Sequence, residues 1–396
     1  MTEVRIEQTQ SVIDGREGFR LHAEWGHVAA VLGGGHICEM VKATHPELNP
    51  FWRPPWRTID PERYGPEKRE TEYGSLPDGP LMAGIAGHSI SFDSFGPPSA
   101  EETAAGLSTH GEAPALRWQI LNELSGERPG VAYGVELPVA QIALRRELRV
   151  DPAHPVVYCM ERARNLSRAD RPICWNEHVT IGPPFLECGS TLVDMPATLG
   201  RVNPASYSDQ MFLTPDADFR WPSAPLERGG MHNLRTTPDG RFARYTAQLL
   251  DPARELGYVA VSNPRAGLIL VCLFQRRDFP WVGNWEERFY RASAPWGGNT
   301  FCRGLEFSTT PFGIPRREVV TRGPLFGEST YIWLPAASEL EIRYMTLLAD
   351  IPLDYEGVAD IHIEGDAVTG VEHGRGRRIR LPGDVSFFRK TATEVL

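Results

Sequence analysis

The sequence has no run of 18 apolar residues, the length a membrane-spanning helix requires. Its start, Met1-Thr2-Glu3-Val4-Arg5-Ile6-Glu7, has no apolar segment of the kind that forms a secretory leader. Both absences predict a cytoplasmic chain with no membrane partner. Cysteine is scarce, with six in 396 residues. Cys38, Cys159, Cys174, Cys188, Cys272 and Cys302 include no C-x-x-C pair and lie among apolar runs, so they read as buried reduced thiols. An excess of positive charge is also missing: 41 basic against 51 acidic residues give a net charge of −10. Such a chain has no general pull on phosphate backbones. The best basic run, Arg375, Arg377, Arg378 and Arg380, is interleaved with Gly374 and Gly376 and reads as a solvated turn, so no nucleic-acid partner is expected.

Signatures of common enzyme chemistry are absent as well. Gly87-His88-Ser89-Ile90-Ser91 lacks the last glycine of a nucleophile elbow. Gly33-Gly34-Gly35 has neither the lysine nor the following helix of a phosphate loop. There is no H-E-x-x-H, and His362, Glu364 and Asp366 alternate as one hydrophilic face of a strand, so neither a metal nor a cofactor is expected. Helical periodicity is nearly missing, with one short helix expected over 284–291. Apolar alternation predicts strands over 19–25, 27–32, 36–42, 117–124, 131–138, 141–150 and 156–165. A hairpin follows, 258–262 and 268–274 around the loop 263–267, and strands at 339–347, 358–364 and 368–372 close the chain. Two long segments, 44–105 and 195–239, read as ordered loops because they are rich in aromatics. No linker or repeat interrupts the chain, so 1–396 reads as a single all-β domain, two sheets stacked face to face.

Three segments combine polar reactive side chains with aromatics. The first is 108–118, with His110-Gly111 ahead of Trp118; the second is 174–185, with Asn176, His178 and Phe185. The third runs from Pro280, Trp281 and Trp285 to Leu305-Glu306 and Gly313-Ile314-Pro315. In this order the segments resemble the aldose 1-epimerase (galactose mutarotase-like) superfamily, as a remote branch. Two features depart from the family's pattern. Its Asn-Arg substrate pair has no clear match, Asn49 with Arg53 being the nearest substitutes, and Glu177 stands between Asn176 and His178.

The resemblance implies an antiparallel β-supersandwich with few short helices and a concave sugar site, and a small-molecule carbohydrate as partner. It also implies a reaction without metal or cofactor. Glu306 would be the base that takes the anomeric proton, His178 the acid that protonates the ring oxygen, and His110 a donor to a sugar oxygen. An ordinary histidine (about 6.5) and glutamate (about 4.3) would share only a narrow pH window in those roles. Trp52, Trp56, Trp281 and Trp296 would offer faces to a pyranose. Asn176, Arg53 and Arg57 would hydrogen-bond hydroxyls or a carboxylate. His232 and Asp209 are candidates to support the site from behind, and Glu39 reads as an anchor for an arginine. The same scaffold also suits a carbohydrate-binding or sensing protein without turnover, or a lyase or hydrolase acting on a larger saccharide.

Overall fold

Along the strand Arg171–Ile181, side chains alternate between two faces. Ile173, Trp175, Val179 and Ile181 enter the main apolar core, while Cys174, Asn176, His178 and Thr180 point the other way. Both sets are buried, because the strand lies at the centre of a large antiparallel sheet. It pairs with His88–Asp93 on one side and Phe301–Ser308 on the other, followed outward by Trp281–Arg288 and Phe242–Leu250. The computed structural model describes residues 4–204, 212–365 and 367–389. Asp209 and Asp366 lie outside the described residues.

A second antiparallel sheet stacks on the first. Its order is Leu192–Asp194, Leu256–Asn263, Leu268–Gln275, Glu339–Asp350, Val156–Asn165, Ile142–Val150, Gly130–Leu137 and Gln119–Leu124. Phe274 lies parallel to Phe307 of the large sheet at 4.5 Å between ring centres, and Tyr344 meets Phe307 edge-on at 5.3 Å. A third, small sheet of Val358–Glu364, Ala367–Glu372 and Arg378–Leu381 packs Ile361, Val368 and Leu381 on Tyr158, Tyr258 and Leu347. The fold is thus an all-β sandwich of antiparallel sheets with few short helices, as expected.

One buried ionic group interrupts the apolar contact between the two large sheets. Arg146 binds Glu161, the backbone oxygen of Gly35 (2.9 Å), the Tyr133 hydroxyl (3.1 Å) and Glu177 (3.4 Å). Glu177 also accepts from the Trp175 indole (2.9 Å), the Tyr344 hydroxyl (3.1 Å) and His88 Nε2 (2.8 Å). Burial beside Arg146 pushes the His88 pKa down to about 3, so His88 is a neutral donor to this carboxylate.

Several sequence expectations hold closely, including Val156–Asn165 and the hairpin of Leu256–Asn263 with Leu268–Gln275. Residues 284–291 do not form a helix; 284–288 belong to the strand Trp281–Arg288 and 289–291 follow it. Glu286 and Glu287, good helix formers, are buried there, with Glu286 held by Arg244 and Thr237, so sheet pairing overrides local propensity. The segment 44–105 is not irregular throughout. It holds the helices Pro66–Tyr73, Gly79–Gly84 and Ala100–Ala104 and the strand His88–Asp93. His362 pairs with Glu364 (3.0 Å) and Asp360 (3.4 Å) on the small sheet. No helix among the described residues is long and apolar enough to cross a membrane.

Candidate active site

Antiparallel register sets His178 directly across from Glu306, and Glu306 across from Gly283. On the face turned away from the core, His178 Nε2 lies 3.1 Å from Glu306 Oε1. His178 Nδ1 meets the Thr180 hydroxyl at 2.9 Å, and the Asn176 amide reaches Glu306 Oε2 at 3.5 Å. Two glycines make room for this pair. A β-carbon on Gly304 would stand 2.8 Å from Glu306 Oε1 and 3.1 Å from His178 Cε1; one on Gly283 would stand 3.0 Å from Glu306 Oε2 and collide with the Tyr245 hydroxyl.

The pair forms the floor of a cavity of about 470 Å³. Burial pushes the Glu306 carboxyl up to about 8, against a smaller downward pull from the Asn176 amide, and pushes His178 down to about 4. Between those values the two groups hold one proton in total, and the state favoured by burial is carboxylic acid with neutral imidazole. The consequence for stability has a sign. Glu306 stabilises the fold fully below its ordinary value of 4.5, and this is lost as pH rises through about 8. His178 stabilises above its ordinary 6.5, and this is lost as pH falls through about 4. The two trends oppose each other up to pH 6.5, above which Glu306 acts without that opposition. Thermal melts should therefore show Glu306→Gln losing less stability than wild type from pH 6.5 to 8.5. The buried Glu161, raised to about 7, is common to both proteins and cancels. Parallel pH profiles for the two would overturn the burial argument.

Loops build the walls. His110 has φ 68° and is followed by Gly111 at φ 80°, a left-handed corner that a non-glycine residue adopts only where its surroundings enforce it. The backbone N–H of Gly96 donates to His110 Nδ1 at 3.1 Å, so the ring proton sits on Nε2. His110 stacks on Phe95 at 5.2 Å and meets His178 edge-on at 5.4 Å. Burial holds it well below the usual histidine range, leaving a neutral ring with one N–H donor at the cavity.

Of the aromatics chosen from sequence, only Trp296 lines the cavity. Trp52 lies parallel behind it at 6.5 Å, and Trp56 meets it edge-on at 5.4 Å while donating to the Met82 carbonyl. Trp281 is wholly buried and bonds the Ser329 carbonyl (2.7 Å). Trp285, on the same face four residues on and opposite Gly304, lines the cavity instead. Arg53 is an exposed partner of Asp14, Arg57 is exposed, and neither lines the cavity. Asn49 is spent on backbone groups of Cys38, Met40 and Phe51, so Asn49 and Arg53 do not replace the missing Asn-Arg pair. Asn176 supports Glu306 from behind rather than lining the cavity. His232 meets Arg244, away from the cavity, and Glu39 pairs with Arg20 and His27. Sequence reasoning missed Asp78, Tyr245 and Arg291 among the wall residues; they come from segments whose place in space only the fold provides.

No protein-family profile and no curated protein matches the sequence. Solved structures do. A Klebsiella pneumoniae protein proposed to be an aldose 1-epimerase matches with a TM-score of 0.63 at 12% identity, covering 88% of this chain and 83% of that one. A galactose mutarotase-like protein from Clostridium acetobutylicum matches at 0.60 and 11%, covering 88% and 99%. Galactose 1-epimerase from Lactobacillus acidophilus matches at 0.53 and 10%, covering 89% and 100%. At such identities the likeness is one of architecture, and by it this chain has the galactose mutarotase-like fold.

Proposed function

We propose that this protein is an aldose 1-epimerase-like enzyme that interconverts sugar anomers by acid–base ring opening. The observation that carries the reading is the buried Glu306–His178 contact on the floor of an aromatic-walled cavity. Ring opening takes one proton from the anomeric hydroxyl and gives one to the ring oxygen. A pair that holds a single proton returns to its starting charge after each opening and closure. The sugar sits on that floor with its anomeric hydroxyl at Glu306 Oε1, its ring oxygen at His178 Nε2 and its C–H face on Trp285. Glu306 as carboxylate accepts the anomeric proton, and His178 as imidazolium protonates the ring oxygen. The products of that step are the carboxylic acid and the neutral imidazole, the state that burial favours, so the floor suits the opened aldehyde. His110 Nε2–H donates to a sugar oxygen and offsets charge that develops there. Rotation about C1–C2 and the reverse proton transfers close the ring with the other anomeric configuration. The six unpaired cysteines, five of them buried, suit a reducing compartment, the cytoplasm.

The test is anomer exchange measured by NMR across pH. The rate should follow a bell with limbs near 4 and 8, set by the pair's two titrations rather than by ordinary histidine and glutamate values. Exchange no faster than in buffer at every pH, with sugar still bound, would favour a binding protein without turnover. One observation favours that second reading: Asn49 and Arg53 stand outside the cavity.

A further inference from the structure

Arg291 follows the strand Trp281–Arg288 and its guanidinium lies over two indoles, 4.7 Å from the Trp296 ring centre and 5.6 Å from that of Trp285. Among the described residues its one ion pair is a 3.5 Å contact from Nε to Glu287 Oε2. The other oxygen of that carboxylate is taken by the backbone N–H groups of Tyr290 (2.8 Å) and Arg291 (3.0 Å). Neither terminal nitrogen of Arg291 has a hydrogen-bond partner among the described residues, although the side chain lines the cavity and is only 26% exposed. A guanidinium held over aromatic rings with its outer N–H groups free is prearranged for a planar or tetrahedral oxyanion.

Trp285 connects this cation to the reacting pair. It meets His178 edge-on at 5.9 Å and carries Arg291 on its ring. A pyranose lying along that indole with its anomeric carbon at His178 directs its opposite end toward Arg291. The remaining charged wall groups do not compete for this end. Asp78 is engaged by the Thr109 hydroxyl beside His110, and Glu306 belongs to the floor. The geometry points to Arg291 as an anion-recognition residue, so that the cavity takes a sugar bearing a carboxylate or phosphate remote from its anomeric carbon. This rests on the sugar-site reading proposed above.

Intrinsic tryptophan fluorescence, with Trp285 and Trp296 under the guanidinium, reports occupancy without requiring turnover. The probes are D-glucose, D-galactose, D-glucuronate and D-glucose 6-phosphate, each with wild type, Arg291→Gln and Arg291→Lys. The anionic sugars should bind about 10- to 100-fold more tightly than the neutral ones, the range of a charge-assisted hydrogen bond. Arg291→Gln should bring that ratio toward one, and Arg291→Lys should keep part of it. The two anionic probes separate carboxylate from phosphate. Equal affinities in wild type, a ratio unchanged in Arg291→Gln, or no binding of any probe would overturn the inference. Anomer exchange is followed in the same samples. Anion-selective binding without acceleration leaves the anion site standing and removes the epimerase reading. Acceleration without anion preference does the reverse.

Discussion

Glu306→Gln is expected to lower catalysed anomer exchange by about 10²–10⁴-fold, the range for one positioned acid–base group. Sugar binding should survive. A glutamine amide has the shape of the protonated carboxyl that burial favours at neutral pH, so the pocket meets the same outline with no charge to desolvate. It retains an oxygen to accept from Asn176 or His178 but has no site that can take the anomeric proton. Exchange NMR measures the turnover, ligand line broadening the binding, and a thermal melt the integrity of the fold. Turnover equal to wild type removes Glu306 from the chemistry. Loss of binding together with turnover assigns it to shaping the pocket.

Arg146→Met is expected to destabilise the protein by about 3–5 kcal/mol, the usual consequence of removing one partner from a buried ionic group. Arg146 is the cation between Glu161 and Glu177, all three wholly or almost wholly buried between the sheets. Without it Glu177 keeps neutral donors from Trp175 and His88, but Glu161 and Glu177 then compete for the one Tyr344 hydroxyl with no cation between them. Even with Arg146 in place, burial pushes Glu161 up to about 7. Adding Glu161→Gln to Arg146→Met should therefore recover part of the loss, which denaturant titration at pH 7 resolves. A single-variant loss below about 1 kcal/mol would mean that the methionine packs as well as the ionic group it replaces. Glu177 immediately precedes His178, so this group also fixes the strand that carries the His178 imidazole.

The second sheet was more legible than the strands beneath the cavity. Its strands are apolar runs between clear turns, and residues 156–165 are delimited to the residue although the strand lies inside the sheet and is almost wholly buried. The strands beneath the cavity are buried on both faces, so their polar residues face a site rather than solvent and the period-two signal is lost. His88–Asp93 does alternate, serine against isoleucine and phenylalanine, but looks like a failed nucleophile elbow when read as a motif. The Glu306–His178 pair was found from a resemblance of short motifs, and antiparallel register brings the two together across 127 intervening residues, 178 to 306. The tryptophan choices fared worse. Trp281 and Trp285 share a face, but Phe326 and the Ser329 carbonyl cover Trp281 while Trp285 borders the cavity.

Gly283 and Gly304 leave the cavity floor no slack, since a single methyl group at either position would press on the Glu306 carboxyl. Part of the wall is held as firmly, since Tyr245 and Trp285 stand on the strands Phe242–Leu250 and Trp281–Arg288, whereas Asp78, His110, Arg291 and Trp296 come from the segments between elements. Selection or design for a new ligand can redraw those four positions one residue at a time while the strands keep Glu306, His178 and the two strand-borne rings in place.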